Sequence, residues 1–445
     1  MTITGFASQF WRKILSRSRR KPKPESVVVK YVNGWNQLPT ELVDEILRYL
    51  WDDLPTLKAC ALACKILCSS ARPLIGSWLY LSPVQKRNSN ARSMKSLLNR
   101  SKKGLDSLER LAEIDRRGFL PHTRHLVLKM DELSLLPHCL RPYTPYFHSI
   151  GKLQTLVVDG LDVTAFMPVF HNCLGMFTTS LRSLDIRHIW DSDRQLLWFI
   201  SQFPLLEDLS IRSCYALYFF LGPAPPLIRT APPFRGNLNL SLIMDSQSLC
   251  EALAQFPGGL NFTSLELKGC GKPGAIISAC QHSLKSISYT WTTTLSTHRS
   301  VFLSCVLLSL SVAGRALDLK DSSMLEKFEF RTDRVNLPST PGWLYRTLWK
   351  ITSTVFREFT ISVSNCSTVA DLSAAMDGDD WRTVDAYLFV WSKFQPSFKV
   401  IFRVGFEGDE GDAMREFVRK RFLLVSKKKI MTVELVRHLE VSTIM

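Results

Sequence analysis

The sequence lacks the features that mark membrane and secreted proteins. Its longest apolar run, residues 301–314, has 14 residues, whereas a membrane-spanning helix needs about 20. No secretory signal is recognisable, and the eleven cysteines are scattered, odd in number and never arranged as Cys-x-x-Cys. Reduced thiols are typical of an intracellular chain, so we expect a cytoplasmic and/or nuclear protein without a membrane partner.

Catalytic motifs are lacking too. The segment "GCGKPGA" (residues 269–275) has no Ser or Thr after Lys272 and lacks the spacing of a phosphate-binding loop. Neither His-Glu-x-x-His nor Gly-x-Ser-x-Gly occurs, and the nine histidines are too dispersed to indicate a metal site. We therefore expect a protein that is not an enzyme, with no cofactor, no metal and no small-molecule substrate.

The net charge of +16 is concentrated in three segments. Residues 1–30, 86–103 and 415–429 carry net charges of +7, +7 and +6, so the rest of the chain sums to −4. We expect a disordered or weakly helical basic tail over residues 1–34 and a basic helical connector over residues 83–120. Whether the tail is a targeting signal stays open.

A compact helical block is expected over residues 35–82. Within "LPTELVDEILRYL" (residues 38–50) one helical stripe is apolar, at Leu42, Ile46, Leu47 and Leu50. Acidic residues fill the opposite face, which is the pattern of an amphipathic helix with one side to bury. The stripe packs either on the rest of this chain or on another protein.

From residue 121 onward, strand-like segments of the form Leu-x-x-Leu-x-Leu recur, at first about every 25–30 residues. They occupy residues 123–128, 153–158, 181–186, 205–211, 238–242, 262–267, 284–289, 325–330 and 356–361. Stretches with helical periodicity, such as "DRQLLWFISQFPLL", lie between them. One strand and one helix cannot bury their apolar sides alone, so stacked units predict an α/β solenoid with a parallel sheet on its concave face.

The expected fold class is α+β overall, with a small all-α block followed by this solenoid over residues 121–445. Near its end, "DDWRTVDAYLFVWSKF" places Trp381, Val384, Leu388 and Trp391 on one helical face, and the strand-like "FKVIFRV" follows. We expect a terminal cap over about residues 371–445.

The helical block resembles an F-box in Leu38-Pro39, Glu41, the Ile46-Leu47-Leu50 cluster, the Leu57 helix and the Ala63-Cys64-Lys65 step. The later segments resemble leucine-rich repeats, with Cys214 and Cys270 where that class places Asn or Cys. The layout, including the "LKAC" segment, is similar to the large F-box family of mushroom-forming (basidiomycete) fungi. Two features depart from the pattern: Ile66-Leu67 replaces the usual Trp, and several repeats lack the Asn or Cys.

The resemblance implies a substrate-recognition subunit of a Skp–cullin–F-box ubiquitin ligase. Its F-box would bind a Skp-type adaptor, and through it a cullin, while the repeats bind a protein substrate. The implied adaptor-binding residues are Leu38, Pro39, Leu42, Ile46, Leu47, Leu50 and Leu57. Two alternatives stay open: a non-degradative F-box scaffold, and a binder of nucleic acid or anionic surfaces through the basic segments, although nucleic acid is the weaker expectation.

The side-chain alternation of the strands predicts which polar residues face a substrate. The expected substrate-binding residues are Asp185, Arg187, Arg212, Glu266, Lys268 and Arg331. The four basic residues are expected to adjoin one another in one column that holds an acidic or phosphorylated segment. The alternative is a solvated sheet face on which Asp185, Glu266 and Glu329 neutralise the bases.

Overall fold

The structure, a computed structural model, describes residues 39–48, 50, 54–81, 108–109, 111–129, 143–160, 175–189, 193–214, 233–241, 247–270, 273–291, 316–406 and 409–436. The predicted basic tail, Leu38 and most of the predicted connector lie outside these residues. The chain divides into two compact units, residues 1–75 and residues 76–445.

In the first unit, the described residues form three helices: α1 (Thr40–Arg48), α2 (Leu54–Ala63) and α3 (Lys65–Gly76). Helix α1 begins after Pro39, whose carbonyl accepts hydrogen bonds from Leu42 and Val43, and Glu41 favours the positive end of the helix dipole. Among the described residues, six are buried and form the core of the unit: Val43, Leu47, Leu57, Cys60, Leu67 and Ala71. This core is small for an independent unit.

The second unit is α/β and contains a parallel sheet of twelve strands within the described residues. The strands are β1 (Trp78–Leu81), β2 (His125–Lys129), β3 (Thr155–Asp159), β4 (Ser183–Ile189), β5 (Asp208–Cys214), β6 (Phe234–Ser241), β7 (Leu260–Lys268), β8 (Ser286–Thr290), β9 (Lys327–Asp333), β10 (Glu358–Ser364), β11 (Lys399–Gly405) and β12 (Met431–Val436). Each strand pairs with the next strand in sequence, an order that is compatible with a solenoid.

Helices connect most of these strands. They are α4 (Thr144–Ser149), α5 (Asp193–Ser201), α6 (Gln247–Ala254), α7 (Gly274–Cys280), α8 (Pro341–Trp349), α9 (Val369–Ala375), α10 (Asp380–Phe394), α11 (Gly411–Arg421) and α12 (Leu423–Lys427). Alternate strand residues are buried in one continuous apolar core that also contains the inner helix residues. The remaining strand residues form a polar face on the opposite side of the sheet.

Two strands end in the same way, which shows why the turns after them need particular residues. Gly269 follows β7 with φ +67° and Asn365 follows β10 with φ +62°, both in the left-handed region. A buried cysteine comes next in each case. The Cys270 thiol lies 3.7 Å from the carbonyl oxygens of both Leu240, on the neighbouring strand, and Lys268, so it contacts the backbone at the turn.

The nine predicted strand segments and "FKVIFRV" all fall on strands, so this part of the prediction is confirmed. Strands β1 and β12 were missed. Because β1 begins at Trp78, the structure divides the units at residues 75 and 76, inside the block expected over residues 35–82. Residues 371–436, expected as a cap, continue the same parallel sheet through β11 and β12.

Candidate functional site

The polar face of the sheet brings side chains from every strand into register, in rows that run across the strands. The middle row contains Tyr80, Val127, Val157, Asp185, Ser210, Asn239, Glu266, Ser288, Glu329, Thr360, Ile401 and Thr432. Two residues further along each strand lies the C-terminal row: Lys129, Asp159, Arg187, Arg212, Ser241, Lys268, Thr290, Arg331, Ser362, Arg403 and Glu434.

The four predicted bases all lie in the C-terminal row, but they do not all adjoin one another. Arg187 and Arg212 are direct neighbours on β4 and β5. Ser241 lies between Arg212 and Lys268, and Thr290 lies between Lys268 and Arg331. The expectation of an uninterrupted column is therefore wrong, because β6 and β8 contribute hydroxyl groups to this row.

Arg187 and Arg212 converge on one carboxylate. The Arg187 guanidinium donates hydrogen bonds of 3.0 and 2.7 Å to Asp185 Oδ2. Arg212 Nε lies 3.2 Å from Asp185 Oδ1 but donates its hydrogen to Ser210 Oγ at 3.1 Å. Asp185 Oδ1 consequently accepts no hydrogen bond within the described residues. This β4–β5 cluster combines two guanidinium groups with one carboxylate.

A second network extends from β6 to β12. Arg331 donates to Glu266 Oε1 and to Glu329 Oε2, each at 2.9 Å. Glu329 also accepts from Ser362, and Arg403 lies 3.4 Å from Glu329 and donates to Glu434 Oε2 at 2.7 Å. Glu266 accepts from the Asn239 amide at 2.8 Å. The β6–β12 network therefore holds its two arginines between three carboxylates.

Ionisation in the network follows from these contacts. Burial raises the pKa of the Glu329 carboxyl, but hydrogen bonds from Arg331 and Ser362 and the charges of Arg331 and Arg403 outweigh it and hold this pKa below its usual range. Burial lowers the pKa of the Lys268 ammonium, and the charges of Arg212 and Arg331 lower it further, against the opposing effect of Glu266. Lys268 thus lies within the electrostatic reach of both flanking arginines.

Charge is therefore unevenly distributed over the polar face. The three acidic residues that were expected to neutralise the bases, Asp185, Glu266 and Glu329, all pair with arginines. Carboxylates outnumber guanidinium groups in the β6–β12 network, whereas guanidinium groups outnumber carboxylates in the β4–β5 cluster. The side chains of Arg187 and Arg212 are 40% and 46% exposed, so this cluster offers two guanidinium groups to an anionic ligand, with Asp159 beside Arg187 on β3.

An aromatic surface adjoins the charged rows and was missed by the sequence prediction. The Trp78 ring stacks on the His125 imidazole at 4.4 Å and on the Tyr80 ring at 5.9 Å. Tyr80 is 63% exposed, and Val127 and Val157 continue the middle row toward Asp185. Burial lowers the pKa of His125, and the charge of Arg124 adds to this effect, so the imidazole is neutral at physiological pH.

The predicted adaptor-binding residues separate into two groups. Leu47 of the α1 stripe and Leu57 of α2 are 2% and 0% exposed and belong to the unit's own core, so the expected set is only partly available to a partner. Leu42 is 47% exposed, Pro39 is exposed, and Ile46 and Leu50 are partly buried. On α2, Leu62 is 88% exposed, a second apolar side chain that the sequence prediction did not select.

The chain matches no protein-family model, and no curated protein matches it. None of the helices in the described part of the chain is long and apolar enough to cross a bilayer. Among the described residues, no group of three or more His, Cys, Asp or Glu side chains is arranged to hold a metal ion.

Proposed function

We propose that this chain is the substrate-recognition subunit of a Skp–cullin–F-box ubiquitin ligase. In this proposal residues 39–75 act as the F-box, and the parallel sheet belongs to a leucine-rich-repeat-like solenoid that binds a protein substrate. The chain itself catalyses no reaction. Its contribution is to hold the substrate near a ubiquitin-charged enzyme.

The observation that carries the proposal is the small core of the helical unit together with its exposed leucines. The three described helices lie between Thr40 and Gly76, and a helical unit of that size usually needs a partner for stability. Leu42 and Leu62 are 47% and 88% exposed. Complete burial of a leucine contributes about 1.5–3 kcal/mol, less the entropic cost of association. An adaptor that covers these side chains therefore gains affinity and stabilises the unit.

The polar face of the sheet supports the substrate-binding half of the proposal. Parallel stacking creates an extended surface of aligned rows, which suits an extended peptide segment. The β4–β5 cluster has an excess of guanidinium groups, and the guanidinium fork matches a carboxylate or phosphate. We expect the substrate to place an acidic or phosphorylated side chain on Arg187 and Arg212, with an apolar side chain near Tyr80.

The scaffold alternative makes the same contacts without ubiquitination of the partner. Cullin inhibition distinguishes the two, because a receptor's substrates accumulate when the ligase is inhibited and a scaffold's partners do not. In the alternative of a nucleic-acid binder, only the charge of the basic segments would hold the nucleic acid, so the affinity for nucleic acid should fall steeply with salt concentration.

The test is proximity labelling in cells with and without cullin inhibition, comparing the full chain with Arg187→Ala/Arg212→Ala. Both arginines lie at the surface, but they are the partners of the buried Asp185 carboxylate, so the double variant should lose about 1–3 kcal/mol of stability and stay folded. We expect it to lose the partners that accumulate under inhibition. The control Arg116→Ala/Arg382→Ala removes two exposed arginines outside the sheet and should keep them. A folded Arg187→Ala/Arg212→Ala variant with its full set of partners would show that the cluster is not the substrate site.

A further inference from the structure

The helices that cover the last strands expose an unusual number of large apolar side chains. Helix α8 packs against α10, and α10 packs against α12. On these three helices Trp349 is 65% exposed, Val390 43%, Phe394 77%, Leu423 46% and Leu424 37%. These five residues, called here the outer apolar strip, are candidates for an interaction surface, because clustered exposed apolar groups are uncommon on monomers.

The strip follows from the orientation of α10. Trp381, Val384 and Leu388 point into the core, as their predicted helical face requires. Val390 and Phe394 are four residues apart and share the other side of the helix. The Trp349 ring lies 5.8 Å from that of Tyr387, which precedes Val390 by less than one turn. The exposed side chains of α8 and α10 are thus continuous.

The two leucines on α12 are held firmly. The buried Asp385 carboxylate on α10 accepts hydrogen bonds from the Leu424 and Val425 amides, at 2.8 and 3.1 Å. At the other end of α12, Lys428 Nζ donates to the Ser392 carbonyl at 2.6 Å. Helix α12 therefore lies parallel to α10, with Leu423 and Leu424 exposed on a fixed turn.

Cations lie close to the strip along the chain. Residues 415–429 contain seven Lys or Arg residues and a single acid, Glu416. Within the described residues, Lys393, Arg419 and Lys427 form no ion pair with a carboxylate, whereas Lys420 pairs with Glu416 at 3.7 Å. Lys427 lies four residues after Leu423, on the same helical face. Lys393 adjoins Phe394 in the sequence and Lys427 follows Leu423 by about one turn, so exposed cations flank the apolar side chains of α10 and α12.

We propose that the outer apolar strip and its flanking cations dock on an anionic phospholipid surface. Leucine, phenylalanine and tryptophan side chains enter the headgroup–acyl boundary, while the lysine and arginine stems extend to the lipid phosphates. Charge attraction by itself would serve nucleic acid equally well, but exposed leucines offer nucleic acid neither hydrogen bonds nor stacking. The surface departs from the sequence expectation of no membrane partner and gives the anionic-surface alternative a location.

The test is flotation of the full chain with vesicles of phosphatidylcholine containing phosphatidylserine, at physiological salt, with pure phosphatidylcholine vesicles as the reference. The apolar variant is Phe394→Ser/Leu423→Ser/Leu424→Ser. Its control carries Leu205→Ser/Met324→Ser/Val335→Ser, three side chains that are 46%, 43% and 72% exposed elsewhere on the sheet unit. The charge variant is Lys393→Gln/Arg419→Gln/Lys427→Gln, and its control is Lys152→Gln/Lys285→Gln/Lys320→Gln, three exposed lysines.

We expect the wild type to float with anionic vesicles and not with neutral ones. The apolar and charge variants should each bind at least about tenfold more weakly, while both controls bind as the wild type does. Any binding through the basic tail is common to all variants and cancels in the comparison. Equal flotation of the apolar variant and the wild type overturns the proposal. The proposal is also overturned if the wild type does not bind vesicles but binds RNA, and if only the charge variant weakens that RNA binding.

Discussion

Asp385 offers a stability prediction whose size can be worked out from its contacts. Its side chain is buried, and its carboxylate caps the first turn of α12 through the Leu424 and Val425 amides. In Asp385→Ala, water can reach the amide of half-exposed Leu424, at a cost of about 0.5–1 kcal/mol, whereas the Val425 amide stays buried and costs about 1–3 kcal/mol. The sum is a local loss of at most about 1.5–4 kcal/mol, because the variant also relieves the burial of the carboxylate, which raises the pKa of Asp385.

Hydrogen exchange measures this loss directly. Amides of residues 423–430 should exchange faster in Asp385→Ala, by up to about a thousandfold, and those of β2–β5 should not change. The control Asp377→Ala removes an exposed carboxylate before α10 and should leave both regions unchanged. Unchanged protection of residues 423–430 in Asp385→Ala would refute the assignment of Asp385 as the cap of α12.

Three further predictions concern the sheet and the helical unit. Glu329→Gln should weaken the decrease in unfolding free energy as the pH falls. The pKa of Glu329 is lowered in the folded state, so its carboxylate stabilises the fold above about pH 4.3, and this contribution is lost as the pH falls through the folded pKa. Urea unfolding at each pH gives the free energy, and equal slopes of free energy against pH for the variant and the wild type would contradict this. Gly236→Ala should lower the free energy of unfolding by about 2–4 kcal/mol, because φ is +84° and a Cβ would collide with the Glu207 carbonyl. The control Gly259→Ala, at φ +81° with open space around the Cβ position, should lower it by about 1–2 kcal/mol in the same assay. Equal losses for the two variants would count against the collision. Leu47→Asp should unfold the helical unit, seen as fast exchange over residues 54–75, because Leu47 is 2% exposed; retained protection would contradict its place in the core.

Local patterning explains why most strands could be predicted. Leucines at alternate positions define a buried side, and this signal is present in nine segments of the sequence. Strand β1 has only four residues and was assigned to the preceding helical block. Strand β12 follows a basic run and is only partly buried, so buried and exposed residues do not alternate clearly along it.

The site could be predicted only in part, because the sequence does not reveal which residues of neighbouring strands pair. Alternation correctly placed Asp185 and Arg187 on the polar face, but which bases adjoin depends on the residues that β6 and β8 contribute between them. Arg403 was missed because its strand was expected to belong to the terminal cap rather than to the repeats. The aromatic surface at Trp78 was missed together with β1.

Exposure on the helices was the least predictable feature. The amphipathic stripe of α1 suggested one buried side, but the small core of the unit takes up Leu47 and leaves Leu42 half-exposed. On α12, the exposure of Leu423 depends on how α10 holds the turn through Asp385. Such exposure depends on long-range packing rather than on local periodicity.

Adaptor binding tests the central claim most directly. The measurement is co-purification of the full chain with a Skp-type adaptor, for the wild type, Leu42→Asp and the control Leu205→Asp, whose leucine on the sheet unit is 46% exposed against 47% for Leu42. The proposal predicts that the wild type and Leu205→Asp retain the adaptor and that Leu42→Asp loses it, with hydrogen exchange of α2 and α3 unchanged. A wild-type chain that binds no adaptor, or a folded Leu42→Asp chain that binds it fully, would contradict the proposal.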